Sequence, residues 1–132
     1  MFGQSVQLMA VLGLCNKESR MDQKWFNEIL DDRISKIKKV LSKKAGEYSS
    51  GNDRLHNFKR AAALNCETPE KALAGMLTKH IVSIYDMIDG LDSTSCPDYS
   101  VWDEKLGDAI NYCILLEALI IERITTTELD SI

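Results

Sequence analysis

The sequence predicts an all-α protein, a helical bundle of three to four main helices, on three observations. Apolar residues recur at spacings of three and four along most of the chain. No stretch of useful length alternates as a strand would, and no internal repeat or low-complexity tract is present. The tracts rich in Gly, Ser, Asn and Asp fall where the helical pattern breaks. At 132 residues and 45% hydrophobic, the chain can bury a core without disulfides or a structural metal.

Each element follows from local signals. Phe26, Ile29, Leu30, Ile34, Ile37, Val40 and Leu41 form one apolar stripe, so a first helix is expected from about Asp22 to Lys44, with Gly46 as its stop. The loop "GEYSSGNDR" follows, and Asp53 suits the cap of a short helix through "RLHNFKRAAAL". Thr68-Pro69 supplies a capping oxygen and a proline for the first position of a third helix. That helix should reach Asp89, end at Gly90, and turn Leu73, Leu77, Ile81, Ile84 and Ile88 to the core. After "LDSTSCPDY", Ser100 and Asp103 have capping-box spacing and should open a last helix ending near Arg123. The run Thr125-Thr126-Thr127 reads as a frayed end, because β-branched residues lose rotamer freedom in a helix.

The opening "MFGQSVQLMAVLGLC" lacks a basic n-region, and its apolar run is too short and interrupted to cross a membrane. Because the clean amphipathic pattern begins at Met21, residues 1–20 are read as an N-terminal extension and 21–132 as a single helical domain. A net charge of −4 argues against wholesale binding to a nucleic acid backbone. Charge is nevertheless uneven. "RISKIKKVLSKK" carries six basic residues and no acid, whereas the chain from Asp103 onward has seven acids against two bases. Cys15, Cys66, Cys96 and Cys113 show no C-x-x-C pairing or zinc spacing, so they read as reduced thiols in a cytoplasmic setting.

Three groups of residues have the composition of a site. Glu104, Asp108 and Asn111 recur at i, i+4, i+7 and project from one helix face, where two carboxylates one turn apart repel unless solvent or a cation such as Mg²⁺ intervenes. The alternative is a solvated stripe, with Glu104 placed in the first turn by the helix dipole. Lys79, Ser83 and Asp86 form a second polar stripe, with His80 beside it at the apolar face. Lys79 suits a phosphate, although surface charges would serve equally. In "KKAGEYSSGNDRLHNF", Lys44, Glu47, Tyr48 and Asn57 are the kinds of group that meet a phosphate, stack on a base or read its edge, yet the tract also suits a plain helix-to-helix loop. Its glycines form neither a P-loop nor a dinucleotide turn.

"WDEKLGDAINYCILLEAL" resembles the second acidic helix of MazG-like all-α nucleoside triphosphate pyrophosphatases, in which a Glu and an Asp one turn apart precede an aromatic and a leucine-rich run. "KAGEYSSGNDRLHNFKRAA" and "ALAGMLTKHIVSIYDMI" are similar to small phage-encoded members of that superfamily, so the resemblance covers about residues 44–122. It implies Mg²⁺-dependent hydrolysis of nucleoside triphosphates to monophosphate and pyrophosphate, in dimers or tetramers. Glu104 and Asp108 match the second acidic pair, and Asn111 or Tyr112 its polar and aromatic neighbours. The first pair departs from the family: Lys79 and Ser83 stand where acids are expected and only Asp86 is acidic, leaving Asp86 or Glu47 to rebuild the site.

Three readings follow. The first is a nucleotide-binding protein that is also a Mg²⁺-dependent pyrophosphohydrolase. The second is a non-catalytic phage protein sequestering a nucleotide or nucleotide-derived immune signal, or another phosphorylated small molecule. The third is an interaction bundle without a small ligand, its stripes paired as Lys79–Asp108 or Lys79–Glu104. The broad apolar surface of the first and last helices, Ile114, Leu115, Leu119 and Ile120 included, adds an expected homo-oligomer.

Overall fold

The computed structural model describes residues 20–48 and 53–131, with side chains left aside at 44–48. Expectations that fall on residues 1–19, and on the side chains of Lys44, Glu47 and Tyr48, lie outside the described residues. Four helices and no strand occur among the described residues: α1 (Gln23–Tyr48), α2 (His56–Asn65), α3 (Pro69–Asp89) and α4 (Tyr99–Asp130). The chain divides into two compact units, Met1–Lys39 and Val40–Ile132, and the division falls inside α1.

In the first unit Asp22 begins α1. Its Oδ1 accepts the Trp25 N–H at 2.8 Å and its carbonyl accepts the Phe26 N–H at 3.0 Å, which satisfies donors a helix start otherwise leaves open. Along the helix, Gln23 Nε2 donates to Asn27 Oδ1 at 2.8 Å, and Lys36 pairs with Asp32 one turn earlier. Part of the predicted stripe stays in contact with solvent: Phe26, Leu30 and Ile34 are exposed. The helix also runs past the expected stop, with Gly46 inside it. A helical glycine costs about 1 kcal/mol relative to alanine, which discourages a helix without ending it.

The second unit is built on α3 and α4, the pair in most extensive contact, with α2 packed on α3. The two long helices are antiparallel, since partners descend α4 as they ascend α3: Glu70 meets Arg123, and His80 meets Asp108. Leu55, Phe58, Leu73 and Leu119 form the core, with Met76, Leu77, Tyr112, Leu115 and Leu116 packed around it. Leu119 therefore belongs to the chain's own interior, and Leu115 is half-buried, which removes both from the expected self-association surface.

The start of α3 is as expected. Thr68 Oγ1 accepts the Lys71 N–H at 3.3 Å, and Pro69 occupies the first turn. Thr68→Ala is expected to lower stability by ~1 kcal/mol, read as an earlier urea midpoint at unchanged slope.

The other boundaries differ from expectation for local reasons. Asp53 does not cap α2; its Oδ1 accepts the Leu55 N–H at 3.0 Å, a turn just ahead of the helix, and Leu55 stands at the cap position with no side-chain bond. Helix α2 ends on Cys66 at φ 54°, the left-handed conformation usually given to glycine. Helix α4 starts at Tyr99, so Ser100 lies within its first turn and not at the cap; Asp98 holds the cap position without a side-chain bond. Nor does α4 fray at the threonines, continuing to Asp130. The hydroxyls of Thr125, Thr126 and Thr127 each donate to the carbonyl four residues back at 2.9 Å, which gives these β-branched residues a helical rotamer that suits them.

Ion pairs tie the helices together. Lys59 reaches Asp53 at 2.8 Å and Glu122 at 2.6 Å, and Arg123 grips Glu70 through two parallel bonds at 2.5 and 2.8 Å. The Lys59 ammonium holds the Asp53 carboxyl below its usual range, helped by the Leu55 N–H, and the Arg123 guanidinium does the same for Glu70. A carboxyl depressed in the folded state contributes stability that is present above its unfolded pKa and is lost as pH falls through the folded one. Stability is therefore expected to drop on acidification below about pH 5. Urea titrations across that range should show a flatter pH profile for Asp53→Asn combined with Glu70→Gln.

Candidate functional site

Within the second unit, one face of α4 presents Asp108, Asn111, Tyr112 and Leu115, the i, i+3, i+4, i+7 positions of a single stripe. These four side chains form one wall of a cavity of about 240 Å³. The turn before α2 adds Arg54, its first helical turn adds Asn57 and Phe58, and α3 adds Met76. Val40 and Leu41, from the last part of α1, complete the lining. Arg54 is positioned by a long bond from its Nη2 to the Leu41 carbonyl at 3.5 Å.

Tyr112 is held between two rings. Phe58 meets it edge-on, with centroids 6.5 Å apart and planes at 75°. His80, from α3, lies against it at 5.1 Å with the planes tilted by 32°. The same histidine places Nδ1 3.7 Å from Asp108 Oδ2, beyond hydrogen-bond reach but close enough for attraction whenever the imidazole is protonated.

Asn111 is the most unusual member of the lining. It is 9% exposed, yet its Oδ1 has no hydrogen-bond partner among the described residues. Leaving such an acceptor unsatisfied costs roughly 1–3 kcal/mol, so a buried asparagine is normally bonded on both ends. Asn111 thus lines a cavity whose other walls are mostly hydrocarbon and aromatic, while its amide oxygen is buried without a partner among the described residues.

Of the residues singled out from sequence, the fold brings Asn57, Asp108, Asn111 and Tyr112 together on this cavity. His80 supports two of them from behind. Glu104, Lys79 and Asp86 are exposed and Ser83 is half-buried; none of these four is among the described lining residues. The side chain of α3 that approaches Asp108 is His80 and not Lys79. Glu104 and Asp108 thus part company, one on the surface and the other on the cavity. Among the described residues no group of three or more His, Cys, Asp or Glu could hold a metal ion. Cys66, Cys96 and Cys113 are free and exposed.

Sequence reasoning missed Arg54, Phe58 and Met76. Arg54, Asn57 and Phe58 do share a spacing of three and four, which is the signal that would have joined them to a common face. Phe58 and Met76 carry no polar group and read as ordinary core until the cavity is seen.

The fold and the site together define an all-helical protein with a small, apolar-walled cavity fringed by polar groups. None of its described helices is long and apolar enough to cross a membrane. Comparison with protein-family models, with curated proteins and with solved structures finds no match.

Proposed function

We propose that this protein binds a nucleotide, seating the base in the cavity lined by α4 and the start of α2. The observation that carries the reading is Asn111, which lines an apolar-walled space and whose buried Oδ1 lacks a donor among the described residues. A ring N–H placed there would recover the desolvation cost the protein bears when unliganded. Phe58, Met76 and Leu115 offer faces for a flat ring, while Asn57 and Arg54 add polar contacts. A volume of 240 Å³ falls short of the ~300–1,000 Å³ typical of drug-sized ligands, so it suits a base, with sugar and phosphates extending outward. The similarity of "WDEKLGDAINYCILLEAL" to a MazG-like acidic helix supports the same ligand class.

Binding without cleavage is the version favoured, because Glu104 stands away from the described lining and no three-ligand cluster occurs among the described residues. A protein of this kind acts by withholding its ligand, as in sequestration of a nucleotide signal. Self-association is proposed alongside, through the exposed apolar positions Leu106, Ile110, Ile114 and Ile121 of α4, and light scattering is expected to report a dimer or tetramer.

The test is calorimetric titration with a nucleotide panel in EDTA and then in Mg²⁺, with chromatography of the recovered ligand. Binding that survives EDTA, with the nucleotide intact, is the expected result. Mg²⁺-dependent release of pyrophosphate would replace this reading with a pyrophosphohydrolase. Absence of binding by every nucleotide would overturn both.

A further inference from the structure

The polar groups around the cavity include two of fixed and opposite hydrogen-bonding sense, Asp108 and Arg54. Asp108 and Asn111 stand one turn apart on α4: the carboxylate only accepts, and the amide oxygen, buried in the wall, is without a partner among the described residues. His80 stands 3.7 Å from the carboxylate, outside hydrogen-bond distance, and so leaves its lone pairs to a ligand. The groups contributed by the start of α2 differ in kind. Arg54 only donates, whereas Asn57 carries both a donor and an acceptor.

From this polarity we infer that the cavity selects a guanine-type ring, one with two adjacent N–H donors on one edge and acceptors on another. The inference rests on the nucleotide reading above and narrows it. Guanine turns N1–H and its 2-amino group toward the α4 acceptors, and presents O6 and N7 to Arg54, whose bidentate fit to those two atoms is a recurrent pairing. Adenine has a single donor group, and its ring nitrogens would set lone pairs against the Asp108 carboxylate. Cytosine has the same defect. Hypoxanthine keeps N1–H but lacks the 2-amino group, so it should satisfy one acceptor and leave the other bare. A site whose buried polar groups are left unpaired by the wrong ligand discriminates strongly, which a purely apolar pocket does not do.

The experiment is calorimetric titration of the full chain with GMP, IMP, AMP and CMP in EDTA, repeated on Asp108→Asn and Asn111→Leu with circular dichroism confirming the helical fold. The expected result is GMP at least tenfold tighter than AMP or CMP, with IMP between them. Asp108→Asn should shrink the preference for GMP over IMP, and Asn111→Leu should weaken every nucleotide. If AMP or CMP binds as tightly as GMP, the nucleotide reading stands and the guanine inference is overturned. An unchanged GMP-to-IMP ratio in a folded Asp108→Asn protein also overturns it. If none of the four binds, the guanine inference is overturned, and the full nucleotide panel above decides whether the nucleotide reading falls with it.

Discussion

Asn111→Leu is expected to make the protein more stable by ~1–3 kcal/mol and at the same time to weaken ligand binding. Leucine nearly matches asparagine in shape and exchanges an unpartnered buried amide oxygen for hydrocarbon, among neighbours that include Phe58, Met76 and Leu115. For a domain of this size the gain corresponds to a melting temperature higher by several degrees, measured by calorimetry without ligand. Opposite signs for stability and binding are what a site residue retained for function produces, because its cost to the fold is recovered only in the complex. A clear loss of stability would mean that Oδ1 is already satisfied within the folded chain. The nucleotide reading would then lose the observation that carries it.

Leu73→Ala should act in the opposite direction and more strongly, lowering stability by ~2–5 kcal/mol. Leu73 is fully buried, at 0% exposure, in the cluster it shares with Leu55, Phe58 and Leu119. Truncation there leaves a void that α2, α3 and α4 all border, and rigid helices close such a gap only in part. Against the 5–15 kcal/mol usual for a domain, that is a large share of the total, visible as an earlier guanidinium midpoint. Leu129→Ala provides the comparison: at 65% exposure it is expected to change stability by no more than about 0.5 kcal/mol. Similar midpoints for the two variants would contradict the core assignment.

Helix identity was legible in the sequence because it depends on periodicity; of the stripe expected on α3, Leu73 and Leu77 do face the core, whereas Ile81 and Ile88 are exposed. Thr68-Pro69 was legible because a cap is a local event within four residues. Helix ends resisted prediction wherever a bond of another kind intervened. The three threonines continue α4 by bonding back to their own helix, and Asp53 spends its carboxylate on a turn and on Lys59 instead of a cap. In the site, α4 revealed Asp108, Asn111 and Tyr112 because they share one helix. Glu104 belongs to the same sequence stripe, but the drift of 3.6 residues per turn and the reach of the neighbouring helices decide which members face inward. Pairings between helices, such as His80 with Asp108 and Tyr112, depend on how α3 and α4 are aligned, which no local pattern encodes.

Helix α2 has ten residues and no side-chain bond at its start. Helices that short are marginal on their own, so its ordering comes from Phe58 in the core and from the Lys59 links to Asp53 and Glu122. Because Asn57 and Phe58 are also part of the cavity wall, unwinding α2 would open the cavity while α3 and α4 stay paired. Helix α2 is then expected to open before the rest of the unit. Its amides should exchange with deuterium well before those of α3, and a bound ligand should slow that exchange most in α2.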